Sequence, residues 1–438
     1  MIDQRPVKEA CIVLHPRQGG SSFQSEYELE EATGLAEALD VSIVHAESVP
    51  LRDVRVANFF GGGKITEIAD IVKLKKATIV VVNSSLSPIQ QRNLEKLWNV
   101  KVIDRTGLIL EIFGLRAATR EGRLQVELAR LAYERSRLVR TWTHLERQRG
   151  GQGFLSGPGE TQIESDRRVL SEKMTKLRQS LDQVRRRRGL QRRQRQRAPE
   201  RVVALVGYTN AGKSTLFNRL TDGGVLSKDM LFATLDTTHR VLPLPSGSSA
   251  ILSDTVGFIA DLPTDLISAF RATLEEVKEA DLLLHVRDVS DPLSDQRKQD
   301  VMEVLAQIEA GPEHEQKIVE VWNKSDLLSQ DQLQQMTARA QQSRDSENEI
   351  DGYIVSCHDG TGISSLLEVI ENVLSEQDHT IQINIPPAAF NVRAWLHENG
   401  RVISEETEEG GTCKMQVQLS DVDIGKLKSR YPELLAAR

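Results

Sequence analysis

Eight consecutive residues, Gly207, Tyr208, Thr209, Asn210, Ala211, Gly212, Lys213 and Ser214, fit the spacing G-x-x-x-x-G-K-[ST]. Two glycines let the backbone wrap tightly enough for successive N–H groups to converge on phosphate oxygens at a helix N-terminus. Lys213 adds a cation for the β- and γ-phosphates, and Ser214 offers a hydroxyl to Mg²⁺. Alone, the motif implies only a nucleoside triphosphate. Asn323, Lys324, Ser325 and Asp326 imply the base. An Asp there can accept two hydrogen bonds from guanine N1–H and N2–H₂. Adenine has no matching donor pair and would leave the carboxylate unpaired. Asn323 suits the opposite edge of the base, and the Lys324 stem can cover the ring.

Three further stretches come in the order such a site requires. Asp254, Thr255, Val256 and Gly257 would place a carboxylate for Mg²⁺, acting through water, and an N–H for the γ-phosphate. Phe232, Ala233, Thr234, Leu235 and Asp236 come earlier. Thr234 is the expected second hydroxyl on Mg²⁺, with Thr237 and Thr238 as rivals. Ser356, Cys357 and His358 end a strand and lead into Asp359-Gly360-Thr361-Gly362, a loop able to close over guanine. Phe258 stands where many GTP hydrolases carry a water-orienting Gln. An apolar ring cannot do that work, so intrinsic hydrolysis is expected to be slow and the catalytic residue is unassigned. The Asn210 side-chain oxygen could instead hold K⁺ beside the β–γ bridge, or simply fill the loop.

These residues need strands behind them, and the apolar runs supply them. Val202 to Val206 reads as a buried parallel strand before Gly207, and Thr215 to Leu220 as the helix after it. Ala250 to Ser253 precedes Asp254. Ile318 to Trp322 precedes Asn323. Leu282 to Val286 is a further strand, ended by Asp288, and a helix is expected around Ile267 to Val277. Together, residues 199–376 read as a nucleotide-binding domain with a mostly parallel sheet and helices on both faces. Residues 1–118 alternate strands and helices and read as a separate α/β parallel-sheet domain. Its Gly61-Gly62-Gly63-Lys64 could hold an anion at a helix start, though a plain glycine turn fits as well. Residues 377–438 read as a small α+β domain: a strand through Ile381, Ile383 and Ile385, a hairpin through Val402 to Thr407 and Met415 to Leu419, and a helix from Asp421 to Arg430. The acidic hairpin turn (Glu405, Glu406, Glu408, Glu409) suits a protein contact better than RNA.

Residues 119–198 differ. Leu124, Leu128, Leu131, Leu138, Trp142 and Leu145 fall at three- and four-residue steps, apart from a polar break at Arg135, and Leu170, Met174, Leu177, Leu181 and Val184 repeat that spacing. Two long helices with apolar seams are expected to pair as an antiparallel hairpin. The join runs from Gly150 to Gly159 and includes Gly153, Phe154 and Leu155. An apolar tip of that kind needs something to bury it. The second helix runs into Arg185, Arg186, Arg187 and Arg188, then Arg192 and Arg193. Such a run can be a solvated face, but arginine nearly excludes lysine here, and guanidinium forks suit phosphate and bases. RNA is therefore the expected partner, with no DNA and no integral membrane association. The 438 residues carry a formal net charge of -7, with 27% charged and 39% hydrophobic residues, so it is the local run and not the bulk charge that points to RNA. Cys11, Cys357 and Cys413 are widely spaced, which argues for a reducing compartment and against a disulfide framework or zinc site. Neither a secretory leader nor a spanning stretch is evident, so a cytoplasmic monomer is expected.

With these residues in view, the chain resembles the HflX-type ribosome-associated GTPases over nearly its whole length. The resemblance rests on Val102-Ile103-Asp104-Arg105-Thr106-Gly107-Leu108-Ile109-Leu110, Trp142-Thr143-His144-Leu145-Glu146-Arg147-Gln148, Gly157-Pro158-Gly159-Glu160-Thr161-Gln162 with Asp166-Arg167-Arg168, and the phosphate loop. It implies Mg²⁺-dependent GTP hydrolysis stimulated by the ribosome, and binding to the large (50S) subunit and its rRNA. It also implies a hairpin reaching toward the peptidyl-transferase region, and splitting or rescue of stalled or stress-inactivated ribosomes. Two departures stand out. Thr237 replaces a Pro common in the family, and Cys357-His358 replaces the usual Ala-containing loop. An alternative is an RNA-remodelling protein whose GTPase only sets residence time; another is a regulatory GTPase on a membrane or protease complex.

Overall fold

A computed structural model describes residues 8–17, 19, 22–148, 158–195, 201–221, 232, 237–259, 271–344, 352–375, 379–407, 411–419 and 421–431; over 138–148, 158–164, 185–195 and 271–273 only the backbone is described. The chain packs as two compact units. One comprises Met1–Arg187 with Lys228–Asp236 and Asp261–Arg271; the other comprises Arg188–Ser227, Thr237–Ala260 and Ala272–Arg438.

The first unit holds a four-stranded parallel sheet in the order β2-β1-β3-β4, from β1 (Ala10–Arg17), β2 (Ser42–Pro50), β3 (Ile79–Val82) and β4 (Lys101–Asp104). Helices α1 (Ser22–Glu37), α2 (Gly62–Lys75), α3 (Pro88–Trp98) and α4 (Arg105–Arg116) alternate with the strands. All four residues of β3 are buried, as expected of a parallel strand covered on both faces. Phe60, Ile68, Val80, Leu94 and Trp98 fill its core. Helix α3 starts on a full capping box, with Ser87 and Gln90 bonding each other's backbone N–H and Pro88 in the first turn. Lys64, in the glycine run thought able to hold an anion, instead pairs with Glu47 at 2.7 Å and Glu67 at 2.8 Å. Its charge is spent within the protein, which favours the plain glycine turn.

Two long helices follow, α5 (Arg120–Gln148) and α6 (Pro158–Arg195). Helix α5 runs unbroken past Arg135. Helix α6 begins at Pro158, so it takes over residues expected in the join, as proline at a helix start allows. The expected tip residues Gly153 and Phe154 lie outside the described residues. Arg185, Arg186, Arg187, Arg188, Arg192 and Arg193 have helical backbone, and their side chains lie outside the description. Asp104 roots α5 on the sheet. It caps α4 by accepting from the Gly107 N–H at 2.8 Å, and it also accepts from Tyr133 at 2.7 Å and Arg137 at 3.2 Å, both on α5. The Leu86 N–H donates to its other oxygen at 3.3 Å.

The second unit holds a six-stranded sheet in the order β10-β9-β8-β5-β7-β6. Its strands are β5 (Val202–Val206), β6 (Thr238–Pro243), β7 (Ser249–Asp254), β8 (Leu282–Asp288), β9 (Lys317–Asn323) and β10 (Gly352–Ile354). All neighbours are parallel except β6 with β7. Helices α7 (Lys213–Leu220), α8 (Arg271–Lys278), α9 (Ser294–Gln307), α10 (Gln330–Arg344) and α11 (Ile363–Ser375) accompany it. Helix α8 overlaps the one expected from Ile267, whose first residues, 267–270, are not described. The strand order reverses at β5, which sits between β8 and β7. That is where open α/β sheets bind ligands.

A three-stranded antiparallel sheet, β11 (His379–Ile385), β13 (Cys413–Leu419) and β12 (Arg401–Thr407), closes the chain with α12 (Phe390–Asn399) and α13 (Asp421–Arg430). The sequence pattern missed α12, because among its described residues only Val392 and Leu396 are buried in the small core with Ile383, Met415 and Val417. Glu405, expected in the acidic turn, lies instead in β12, where it pairs with Arg393 at 2.5 Å and meets His397 Nε2 at 3.1 Å. Among the described residues no helix is long and apolar enough to cross a membrane.

Asp104 is nearly fully buried and holds four donors. Asp104→Ala should therefore leave the Leu86 and Gly107 N–H groups and the Tyr133 hydroxyl without this acceptor and cost about 1–3 kcal/mol per unsatisfied group. A lowered first midpoint in urea unfolding would show this; an unchanged one would refute it.

Candidate nucleotide site

Gly207 ends β5 with φ +147°, where an added Cβ would meet the Val286 carbonyl oxygen at 2.2 Å. Gly212, the last residue before α7, has φ +96°, and a Cβ there would meet Asn323 Nδ2 at 2.1 Å. Only glycine meets both demands. Asn210 turns the loop between them with φ +61° and is exposed. Lys213 folds back beneath the loop, and its ammonium donates to the Gly207 and Tyr208 carbonyls at 3.0 and 2.8 Å. Burial lowers its pKa to about 8, opposed by the nearby Asp254 carboxylate.

Ser214 and Asp254 come together at the ends of α7 and β7, with the hydroxyl donating to Asp254 Oδ2 at 2.8 Å. Among the described residues no cluster of three or more His, Cys, Asp or Glu could hold a metal ion. A hydroxyl beside one carboxylate is nonetheless a donor set that suits Mg²⁺, which keeps several waters and takes its remaining oxygens from phosphates. Thr255 points away from this site. Its hydroxyl donates to Leu205 O at 2.5 Å, so it braces β5 against β7. Val256 is buried behind it. Phe258 rejoins the loop through its backbone: Thr209 N donates to Phe258 O at 2.8 Å, and Phe258 N to Gly207 O at 3.1 Å.

Asn323 ties three segments together. Its amide donates to Ala211 O at 2.9 Å and its oxygen accepts from the Cys357 N–H at 3.1 Å. Lys324 adopts φ +65°, which turns the chain from β9 toward Ser325 and Asp326. Its ammonium pairs with Asp288 at 2.6 Å. One Asp326 oxygen accepts from the Ser356 hydroxyl at 2.7 Å, which fixes the carboxylate that would face the base. Cys357 is buried, and burial pushes its thiol up to about 12, with Asp326 adding to the shift and Arg219 opposing it. His358 is exposed beyond it.

The structure brings together the loop, Asp254, Gly257, Asn323 to Asp326, and Ser356 to Cys357. Ala233, Thr234, Leu235 and Asp236 lie outside the described residues. Phe232 is described, and its ring packs edge-on against Phe113 of the same unit with centroids 4.7 Å apart. The rival Thr238 lies within β6, opposite Asp254 in the ladder, and its neighbour Thr237 just precedes it. Sequence reasoning overlooked Arg297, whose guanidinium lies 4.8 Å from the centre of the Tyr208 ring and pairs with Asp291. No local pattern marks a helix arginine that supports a loop about ninety residues away. The Asp at the end of β8 was a visible signal, and Asp288 proves to be the partner of Lys324.

Family profiles match most of the chain. "GTP-binding GTPase N-terminal" covers residues 26–114, "GTP-binding GTPase Middle Region" 116–195, "50S ribosome-binding GTPase" 202–324 and "HflX C-terminal domain" 338–435. The chain is 45% identical to "GTPase HflX" of Magnetococcus marinus over 401 residues, covering 91% of this chain and 90% of that one. It is 41% identical to the protein of the same name from Escherichia coli over 438 residues, covering 99% of each. A relative of that name in Caldanaerobacter subterraneus is 41% identical over 411 residues, covering 92% of each.

Asp326→Asn exchanges an acceptor for a donor at the position that would face guanine N1–H and N2–H₂. GTP affinity should fall by at least about a hundredfold, while xanthosine triphosphate, which offers an oxygen in place of the amino group, should now bind. Fluorescent-nucleotide titration distinguishes the outcomes, and equal loss of both nucleotides would count against the assignment.

Proposed function

Because the chain belongs to the HflX family of GTPases and is a GTP hydrolase, we propose that it uses GTP to grip the large ribosomal subunit and to split or rescue stalled or stress-inactivated ribosomes. One observation carries this most directly. The chain that carries the guanine-type clasp of Asn323, Cys357, Ser356 and Asp326 also carries a 38-residue helix whose last turns are rich in arginine. At 1.5 Å per residue that helix is about 57 Å long, enough to carry a tip deep into a partner. Arg185, Arg188 and Arg192 recur at helical spacing, and such a stripe suits an rRNA backbone.

In this account Gly207 to Ser214 cradle the phosphates and Lys213 meets the β- and γ-phosphates. Asn323 and Asp326 read guanine. Ser214, with Thr234 and with Asp254 through water, would hold Mg²⁺, which when bound neutralises developing phosphate charge. Gly257 meets the γ-phosphate. GTP orders the loops around Thr234 and Gly257, the ordered form grips the subunit, and hydrolysis releases it. Phe258 cannot orient water, so turnover is slow until the ribosome supplies order. Asn210 would offer its side-chain oxygen to K⁺, a role that its exposure and left-handed backbone at the loop support. The protein acts as a cytoplasmic monomer.

Sedimentation with 50S subunits, with and without a non-hydrolysable GTP analogue, tests this. The analogue should strengthen binding, and about six neutralised phosphates should cost roughly a thousandfold in affinity between 50 and 200 mM salt. Lys213→Ala should abolish the nucleotide effect and keep salt-sensitive binding; loss of all binding would show that the arginine-rich helix does not bind independently. Separately, GTP turnover should be faster in K⁺ than in Na⁺, and equal rates would remove Asn210 from the account.

A further inference from the structure

Helix α9 runs beside the phosphate loop and carries Asp295, Arg297 and Lys298 in its first turns. Two of these rivet the helix to the sheet. Asp295 pairs with Arg287 of β8 at 2.5 Å, and Lys298 pairs with Glu320 of β9. Arg287 joins the two pairs, since it also meets Glu320 at 2.7 Å. Val301, Val304 and Leu305 bury the next turns. Helix α9 therefore does not need Arg297 to stay in place.

Arg297 turns toward the loop instead. A small cleft between them is lined by Tyr208, Thr209 and Ala211 of the loop and by Ser294, Arg297 and Lys298 of α9. The Arg297 guanidinium lies over the Tyr208 ring, 4.8 Å from its centre. Asp291, in the turn before α9, pairs with that guanidinium and aims it. Asp291 is itself fixed, because its other oxygen accepts from the Leu293 N–H at 2.9 Å. Tyr208 is 6% exposed and the Asp291 side chain 7%, so the contact is made largely out of water, where a cation over an aromatic face is worth most.

The ring's position becomes the loop's position through the Tyr208 backbone, whose carbonyl accepts from Lys213 at 2.8 Å. The loop is otherwise easy to deform, because Gly207 and Gly212 at its two ends are the residues with most backbone freedom. We infer that Arg297 is a positioning residue: aimed by Asp291, its cation clamps the Tyr208 ring and keeps the phosphate loop in the arrangement that receives phosphates. The inference rests on the guanine-nucleotide site proposed above. A loop that spends only a fraction of its time in the receiving arrangement binds with an affinity lowered by that fraction. GDP and GTP both use the loop, so both feel the loss equally.

Nucleotide titration and steady-state turnover on the full chain test this. Arg297→Ala should weaken GDP and a non-hydrolysable GTP analogue by the same factor, roughly three- to thirtyfold, the span of a cation–ring contact from exposed to desolvated. The factor should fall on KM for GTP and leave kcat within about twofold, because a bound triphosphate itself holds the loop. Arg297→Lys keeps a cation and should restore part of the affinity, whereas Arg297→Met keeps an uncharged stem and should not. Asp291→Asn should weaken binding through the same contact, so adding it to Arg297→Ala should cost little more. Wild-type affinity in Arg297→Ala overturns the inference, as does equal recovery with Lys and Met or full additivity in the double variant. The Lys and Met variants decide the matter if Arg297→Ala does not fold. Failure of the unaltered protein to bind guanine nucleotide would refute the site itself, a result distinct from tight binding that is indifferent to residue 297.

Discussion

The second unit is organised around one side chain, the Asn323 carboxamide. Its two ends face segments that are remote in sequence, donating to Ala211 on one side and accepting from Cys357 on the other. An amide is one of the few side chains that presents donor and acceptor from a single rigid plane, so it sets the distance between phosphate cradle and base clasp. The constraint extends outward. Gly212 must lack a Cβ because that amide fills the space. Lys324 must turn through a left-handed conformation so that Asp326 can meet Ser356. At 2% exposure Asn323 is also beyond the reach of competing solvent, which strengthens both bonds.

Much of this was legible in the sequence, because each motif follows a run of apolar residues that had to be a strand. The phosphate loop, Asp254, Asn323 and Ser356 all fall at carboxyl ends of parallel strands, where the sheet order predicts a crevice. What stayed hidden depends on where side chains turn. Thr255 belongs to a recognisable motif, yet its hydroxyl faces the neighbouring strand. Lys64 follows three glycines in a pattern that suits an anion, but two glutamates from different elements neutralise it. Arg297 reaches the Tyr208 ring from a helix with no motif of its own. Phe232 belongs to the stretch read as a nucleotide loop, and its ring contact with Phe113 could not be foreseen from that stretch. Periodicity reports which face is buried but not what it is buried against.

The motif Val102 to Leu110, which carried part of the family resemblance, has a mechanical explanation. Asp104 ends a strand, caps the next helix and receives two side chains from the long helix beyond. Arg105 pairs with Glu31 at 2.8 Å and donates to Asn83 at 2.6 Å, fastening β4 to the neighbouring elements. Gly107 sits where a Cβ would press on the Asp104 carboxylate at 3.0 Å. The motif is therefore a joint, and it fixes the direction in which α5 leaves the sheet. Tyr133, in that joint, is held as a neutral phenol, its pKa raised by burial and by the Asp104 charge, with Arg137 opposing. Its hydroxyl donates to Asp104 and accepts from Arg137, so it relays between the two charges.

The cysteines lead elsewhere. Cys11 lies inside the first sheet and Cys357 inside the base clasp, and burial raises both thiols to about 12. Peroxides attack thiolate, and at neutral pH a group with so high a pKa offers about one thiolate in a hundred thousand molecules. The Cys357 segment thus places sulfur next to the Asn323 carboxamide with the thiol held in its protonated form.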